Sequence, residues 1–387
     1  MRLRKITELI LVLSFFLLAC APFLAGFFDQ ELGSASGEKR AMAERPEIGL
    51  IRDSFPEYST RYERYYSDSF PLRNQLIRWN NLIRLKVFGE SPIRGVRLGR
   101  EGWLFYADEW VFEDYENIMP FSPENLAKIR TVLDQRRIWL AKRGIHFLVV
   151  VPPNTQTIYP EYLPPGVHKI GKESRYDQVA QYLKPYHEIE FLDLRSPLLR
   201  AKPTQRLYQR TDSHWNDYGA FVGYQALVDR ISDRLPNVRR LSLEDFTVST
   251  VRGEGGDLAG MLSLSDLITE ERIVLTPKFH PRSVDVSRDY PDPVDEPGRE
   301  MVVKETRDTS LPKALVFRDS YSWGLIPYLS ESFQSVVYLW TFDFLPEIIE
   351  REKPDVVIFE CVERYLNALM RDNPEEVRGA GGTSGWK

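Results

Sequence analysis

Cysteine is nearly missing from this chain: Cys20 and Cys361 are the two in 387 residues. They lie at opposite ends of the sequence, so no disulfide framework can be drawn and no cysteine zinc cluster can form. An excess of one charge is missing too. With 51 Lys and Arg against 56 Asp and Glu, the net charge of −5 offers no polycationic surface for nucleic acid. His and Cys nowhere cluster at metal-ligand spacing, and no phosphate-binding lysine follows a glycine-rich loop. What remains is a chain with 43% hydrophobic and 12% aromatic residues, enough for one large domain or two ordinary ones held by their core.

The N-terminus carries a compartment signal. Met1-Arg2-Leu3-Arg4-Lys5 is basic, and Leu9 to Phe28 is uncharged. At about 1.5 Å per helical residue such a run spans a hydrocarbon core of roughly 30 Å. The basic end should stay in the cytoplasm and everything after the run should lie outside. Ala19-Cys20-Ala21 resembles a cleavage site and Leu17-Leu18-Ala19-Cys20 an imperfect lipoprotein box. Retained anchor, cleaved signal and lipidated form all remain open, and each places the domain in the periplasm or at the cell surface. Residues 1–28 are therefore expected to be a signal anchor or signal peptide. Residues 29–50, with Gly33-Ser34-Ala35-Ser36-Gly37, read as a linker. A folded domain is expected over 51–370, with an insertion at about 236–310 and a disordered tail over 371–387.

Hydrophobic periodicity within that domain alternates between strand and helix. Ser122-Pro123-Glu124 starts a helix that runs to about Arg143 before Gly144. Ile145–Val151 is a nearly continuous apolar run closed by Pro152-Pro153, as expected of a strand covered on both faces. A helix around 176–186 and a strand at 189–194 follow. Later come a strand at 314–317, a helix at 321–330, a strand at 335–339, a helix at 345–351 and a strand at 356–359. This order predicts a three-layer α/β/α domain with a largely parallel sheet. His146 reads as a core histidine. The cluster Gly253–Gly260 follows no clear strand and reads as part of an insertion or lid.

One stretch stands apart, Gln209-Arg210-Thr211-Asp212-Ser213-His214-Trp215-Asn216, just before a helix. In an extended segment Asp212 and His214 share a face while Ser213 points away. A carboxylate that orients an imidazole makes a general base, which needs a nucleophile from elsewhere. In open parallel sheets reactive groups collect beyond the carboxyl ends of strands. The strand ending at Phe317 delivers Arg318-Asp319-Ser320-Tyr321 into a helix whose free N–H groups favour an oxyanion. Ser320 is the nucleophile this placement selects. Simpler roles also fit each half: a cap for Ser320 or Asp319, and a structural Asp–His hydrogen bond with Trp215 in the core and Asn216 as cap.

Thr211–Asn216, Phe317–Tyr321, Gly102-Trp103-Leu104-Phe105-Tyr106, Pro152-Pro153-Asn154 and Tyr159–Pro164 together resemble the alginate O-acetylation proteins AlgJ and AlgX. These belong to the SGNH-hydrolase-like group that includes the DHHW proteins. The resemblance covers about residues 50–370, and it implies an SGNH-type fold in which the Asp-x-His motif precedes the serine. It assigns Ser320 as nucleophile, His214 as base and Asp212 as orienting carboxylate, with no cofactor or metal. Arg318 replaces the usual glycine before Asp-Ser, Asn154 is a candidate for the SGNH asparagine, and Glu363-Arg364 resembles a family pair. Tyr321, Arg318, Asn154, Trp215 and Arg364 are the candidates for substrate or oxyanion contacts. The implied activity is acetyl transfer to hydroxyls of an exported polysaccharide, with a membrane-bound acyltransferase as acetyl donor. A carbohydrate acetylesterase or a non-catalytic polysaccharide-binding protein would share these features.

Overall fold

The apolar run after Gly144 forms the second strand of a seven-stranded sheet in the computed structural model, which describes residues 9–17, 20, 43–48, 54–70, 72–287 and 299–378. Helix α1 (Pro123–Ala141) precedes it, opened by a capping box between Ser122 and Asn125. Its end is followed by Gly144 at φ 72°, a conformation that glycine adopts without a Cβ penalty. Then come β1 (His146–Val151), α2 (Arg175–Leu183), β2 (Phe191–Asp193) and α3 (Asp217–Ser232). A hairpin follows, β3 (Phe246–Glu254) with β4 (Thr269–Pro277), and then the short strands β5 (Val284–Asp285) and β6 (Val302–Glu305). The C-terminal part runs β7 (Lys313–Phe317), α4 (Ser322–Leu329), β8 (Ser335–Leu339), α5 (Pro346–Glu352) and β9 (Val356–Glu360).

The sheet order is β2-β1-β9-β7-β8-β6-β5. Its first five strands are parallel; β6 and β5 add antiparallel at one edge. The sheet is thus mixed, with the insertion's two short strands antiparallel along its edge. Side chains alternate as a pleat requires. Leu148, Val150, Val316, Tyr338 and Ile358 face one core with α3 and α4, while Val149, Leu315, Phe317, Val337 and Phe359 face another with α1 and α2. This is the three-layer arrangement that the alternation predicts.

The boundaries differ from the sequence reading. The chain divides into two compact units, Met1–Val96 with Ala259–Ile268, and Arg97–Leu258 with Thr269–Lys387. The α/β domain therefore begins near Arg97 rather than at 51. In the smaller unit the helices Phe55–Ser69 and Arg73–Ile83 are followed by a wider π turn to Gly89, and buried Asn81 donates to the Leu262 carbonyl. The uncharged run Leu9–Phe28 and the linker 29–50 lie mostly outside the described residues. Among the described residues no helix is long and apolar enough to cross a membrane.

The expected disordered tail also begins too early. Residues 379–387 lie outside the described residues, but 371–378 are packed. Arg136, fully buried and stacked over Phe344 and Phe359, donates from Nε to Asn373 Oδ1 at 2.7 Å. Asn373 in turn donates to the Val132 carbonyl, and Val377 is buried. A buried charge left without its acceptor is costly, so Asn373→Ala should lower stability by about 1–3 kcal/mol in urea unfolding.

Candidate active site

His214 lies on a loop that leaves and rejoins itself. Tyr208 and Trp215 form an antiparallel bridge, and Asn216 N–H donates to the Leu207 carbonyl. The tip between them, Thr211-Asp212-Ser213, is bent rather than extended. Asp212 and His214 meet because Asp212 Oδ1 accepts from the His214 N–H at 3.0 Å, a local turn closed by an aspartate side chain. The same oxygen lies 2.7 Å from His214 Nδ1. Ser213, expected to point away, instead turns its hydroxyl to within 3.3 Å of Nδ1. Trp215 is buried and Asn216 caps α3, accepting from Gly219 N–H at 3.0 Å.

Strand β7 ends at Phe317, and Ser320 sits on the turn before α4. Its Oγ is 2.8 Å from His214 Nε2, so a serine and a histidine 106 residues apart are within hydrogen-bond reach. The turn is set from below. Asp319 N–H donates to Glu360 Oε2, Asp319 Oδ1 accepts from Tyr321 N–H, and Oδ2 accepts from Val362 N–H. The Ser320 N–H carries no protein partner among the described residues, and Trp323 N–H bonds back to the Ser320 carbonyl.

The two loops clasp each other. Trp215 Nε1 donates to the Tyr321 carbonyl at 3.0 Å, and Tyr321 Oη donates to the Ser213 carbonyl at 2.6 Å. Tyr321 is fully buried with its ring 5.1 Å from the imidazole, a strut between the two loops. Burial pushes its hydroxyl pKa up. Gly324 makes the clasp possible: a Cβ there would lie 2.6 Å from Trp215 Nε1.

Arg318, where a glycine was expected, is fully buried between Trp323 and Trp340, its guanidinium 4.4 and 4.6 Å from their ring centres. It donates to the Asp319 carbonyl, and burial lowers its pKa to about 10, so it stays charged. Glu363 and Arg364 are both buried, not a surface ion pair. Glu363 accepts from Asn154 N–H and from the Thr157 hydroxyl. Arg364 donates to Asn154 Oδ1 at 3.1 Å and lies 3.3 Å from Glu109. With its oxygen taken, the Asn154 carboxamide keeps its N–H groups as donors. Beside these residues opens a cleft of about 800 Å³, lined by Asp319, Arg318, Arg364, Trp340 and Trp110 among others. Trp110 is 62% exposed and held at φ 61°. His146 is elsewhere, 3.1 Å from Glu190 at the far end of β1.

The insertion supplies residues that the motif search passed over. Glu270 on β4 accepts from the N–H groups of Arg210 and Thr211 and from the Thr211 hydroxyl. Asp257, in the cluster Gly253–Gly260, accepts from Ser213 N–H and Oγ, while its own N–H donates to Asp212 Oδ2. Gly256 lies so close that a Cβ would stand 2.4 Å from Asp212 Cβ. The signal was an acidic residue beside a glycine that permits close backbone approach. Asp212, His214 and Asp257 are close enough to resemble a metal trio, but the Asp212 carboxylate is engaged by His214 and the Asp257 N–H, and the Asp257 carboxylate by Ser213.

Burial alone would raise the Asp212 pKa; hydrogen bonds from His214 and Asp257 and the imidazolium charge outweigh it and bring the carboxyl to about 2. For His214, burial lowers the pKa, but Asp212 and then Asp257 raise it above the usual value, with Arg364 opposing. A carboxyl ionised more readily in the folded state stabilises fully above its unfolded pKa of about 4, and that stabilisation is lost as pH falls through about 2. The stability advantage of wild type over Asp212→Asn should therefore shrink by about 2 kcal/mol between pH 5 and pH 2, followed by denaturant unfolding.

Residues 96–339, well over half of the chain, match the family described as "SGNH hydrolase-like domain, acetyltransferase AlgX". The probable alginate O-acetylase AlgJ of Pseudomonas putida is 28% identical over 345 residues, covering 81% of this chain and 81% of that protein. Among solved structures, Bacillus cereus PatB1 with a sulfonyl adduct aligns with a TM-score of 0.52 at 16% identity, over 72% of this chain and 97% of that one. A DHHW family protein from Eubacterium siraeum aligns equally, with TM-score 0.52 and 16% identity over 75% and 96%. These structural likenesses concern the fold.

Proposed function

The chain belongs to the SGNH hydrolase-like family of the acetyltransferase AlgX, and from that premise we propose that it transfers acetyl groups to hydroxyls of an extracytoplasmic polysaccharide through an acetyl-serine on Ser320. The observation that carries the reading is the continuous line of hydrogen bonds from Asp212 through His214 to Ser320. The alginate acetylase named among its relatives supports the polysaccharide acceptor.

In the first half-reaction Ser320 Oγ attacks the acetyl carbonyl carbon while His214 Nε2 takes the hydroxyl proton. Asp212 keeps the Nδ1 proton in place and balances the imidazolium. The unpartnered Ser320 N–H and the Asn154 carboxamide are the donors offered to the oxyanion. Collapse expels the donor's leaving group, which receives the proton from His214. In the second half-reaction His214 takes the proton of a sugar hydroxyl, whose oxygen attacks the acetyl carbon. Collapse breaks the ester to Ser320, which recovers its proton from His214. No metal or cofactor enters either half.

The cleft beside Arg364 and Trp340 is where a sugar chain reaches the acetyl-serine, with exposed Trp110 as a stacking face at its rim. The acetyl donor is a membrane-bound acyltransferase on the same side of the membrane, reached because residues 1–28 anchor the chain. Arg318 serves the turn as a buried support and not as an oxyanion donor.

The test is incubation with an acetyl-ester donor and sugar oligomers, with mass spectrometry for added acetyl. Wild type should acetylate the oligomers and Ser320→Ala should not. Equal activity in both would remove Ser320 from the mechanism, and acetate release without oligomer acetylation would make the protein an esterase. Trp110→Ala should raise KM for the oligomer by about two- to tenfold, the worth of one aromatic contact, and leave hydrolysis of a small ester unchanged.

A further inference from the structure

Asp257 takes no part in the transfer just described, yet it approaches the same imidazole nitrogen as Asp212. Its Oδ2 is 3.5 Å from His214 Nδ1. Ser213 donates to it twice, from Oγ to Oδ2 at 2.5 Å and from N–H to Oδ1 at 2.7 Å. Its own N–H donates to Asp212 Oδ2 at 3.0 Å. The backbone at Gly256 leaves no room for a side chain against Asp212. Nothing in the Asp-x-His motif requires this second acid, which arrives on the connection between β3 and β4.

We propose that Asp257 is a second carboxylate partner of His214, a positioning residue that sets how tightly the imidazole holds a proton. The inference rests on the reading of His214 as the base. The groups facing the imidazole are Asp212, Asp257, the Ser213 and Ser320 hydroxyls, the Tyr321 ring and, opposing them, the Arg364 cation. A proton on His214 meets two negative neighbours and one positive one. Each carboxylate makes the imidazolium of the transition state less costly, and each also keeps the base protonated to a higher pH. Asp257 pays a cost in return: although its side chain is 39% exposed, desolvation and the nearby Asp212 charge raise its own pKa. Ser213 offsets part of that cost through its two hydrogen bonds. Asp257 thereby makes the insertion part of the base, so the hairpin and the motif act as one unit.

The sign of the effect is fixed. A base works when unprotonated, so activity falls on the acid side as His214 takes a proton. Removing a nearby negative charge lowers the His214 pKa and moves that limb to lower pH. In Asp257→Asn the acid limb of kcat/KM for p-nitrophenyl acetate should move down by about one pH unit, with plateau kcat lower by up to about tenfold as the base weakens. Asp257→Glu, which keeps the charge, should return the limb toward wild type. A fall in kcat at every pH with the limb unmoved would reduce Asp257 to a loop support and overturn the proposal.

The same variants are followed by the NMR titration of the His214 imidazole in the whole protein, with His214→Gln to assign the resonance. A lower midpoint in Asp257→Asn supports the proposal even if the ester is not turned over, and an unchanged midpoint overturns it. Inactivity of wild type toward the ester would thus count against the acetyl-serine reading and leave the titration to decide on Asp257. If Asp257→Asn does not fold, judged by circular dichroism, Asp257→Ser supplies the neutral variant for both measurements.

Discussion

Two loops bring Asp212, His214 and Ser320 together, and a reciprocal pair of hydrogen bonds holds them. Trp215 gives its indole N–H to the carbonyl of Tyr321, and Tyr321 gives its hydroxyl to the carbonyl of Ser213. Both bonds are buried, where an unmade donor or acceptor costs about 1–3 kcal/mol. Neither loop can shift without breaking a bond owned by the other. The 2.8 Å approach of Ser320 to His214 is the visible result, and the cap at Asn216, the close packing at Gly324 and the aspartate turn at Asp212 all serve that one alignment. Such pre-arrangement matters because a proton transfer loses efficiency steeply when donor and acceptor drift out of reach.

Around this clasp lie carboxylates that are buried except for Asp257. Asp319 and Glu360 fix the serine turn, Glu363 fixes the segment after β1, and Glu270 with Asp257 fix the histidine loop. Most of their partners are backbone N–H groups, the donors that irregular chain leaves unpaired and that would otherwise carry a desolvation penalty. Burial makes such acids reluctant to ionise, and for Glu360, beside Asp319, it pushes the pKa well up. The polar groups of the site thus take over the task that ladder hydrogen bonds perform in the sheet.

Much of this was legible in the sequence. The apolar run 145–151 and the strands near 314–317, 335–339 and 356–359 are buried on both faces, so composition alone marked them within a residue or two. The cap at Ser122 and the cap at Asn216 followed from side-chain chemistry that acts within one turn. The pairing of Asp212 and His214 with Ser320 was legible because the first two are neighbours and the third ends a strand. Asp257 and Glu270 were not, since an acid on a hairpin has no periodic signature and its partners lie about 45 to 60 residues earlier. The antiparallel edge was missed for a similar reason: β5 has two residues and β6 four, too short to show a pattern. Arg318 read as a departure from glycine and proved to be a buried cation between two indoles, a packing that one sequence does not announce.

The order of strands has a consequence for how the protein comes into being. The strand between β1 and β7 is β9, the last to be synthesised, and both neighbours pair with it along their length. A growing chain that has reached residue 339 holds every member of the Asp212–His214–Ser320 line and still lacks the staple that joins the two halves of the sheet. The parallel sheet therefore closes only after the Asp212, His214 and Ser320 segments have all been made, when the C-terminal strand inserts between β1 and β7.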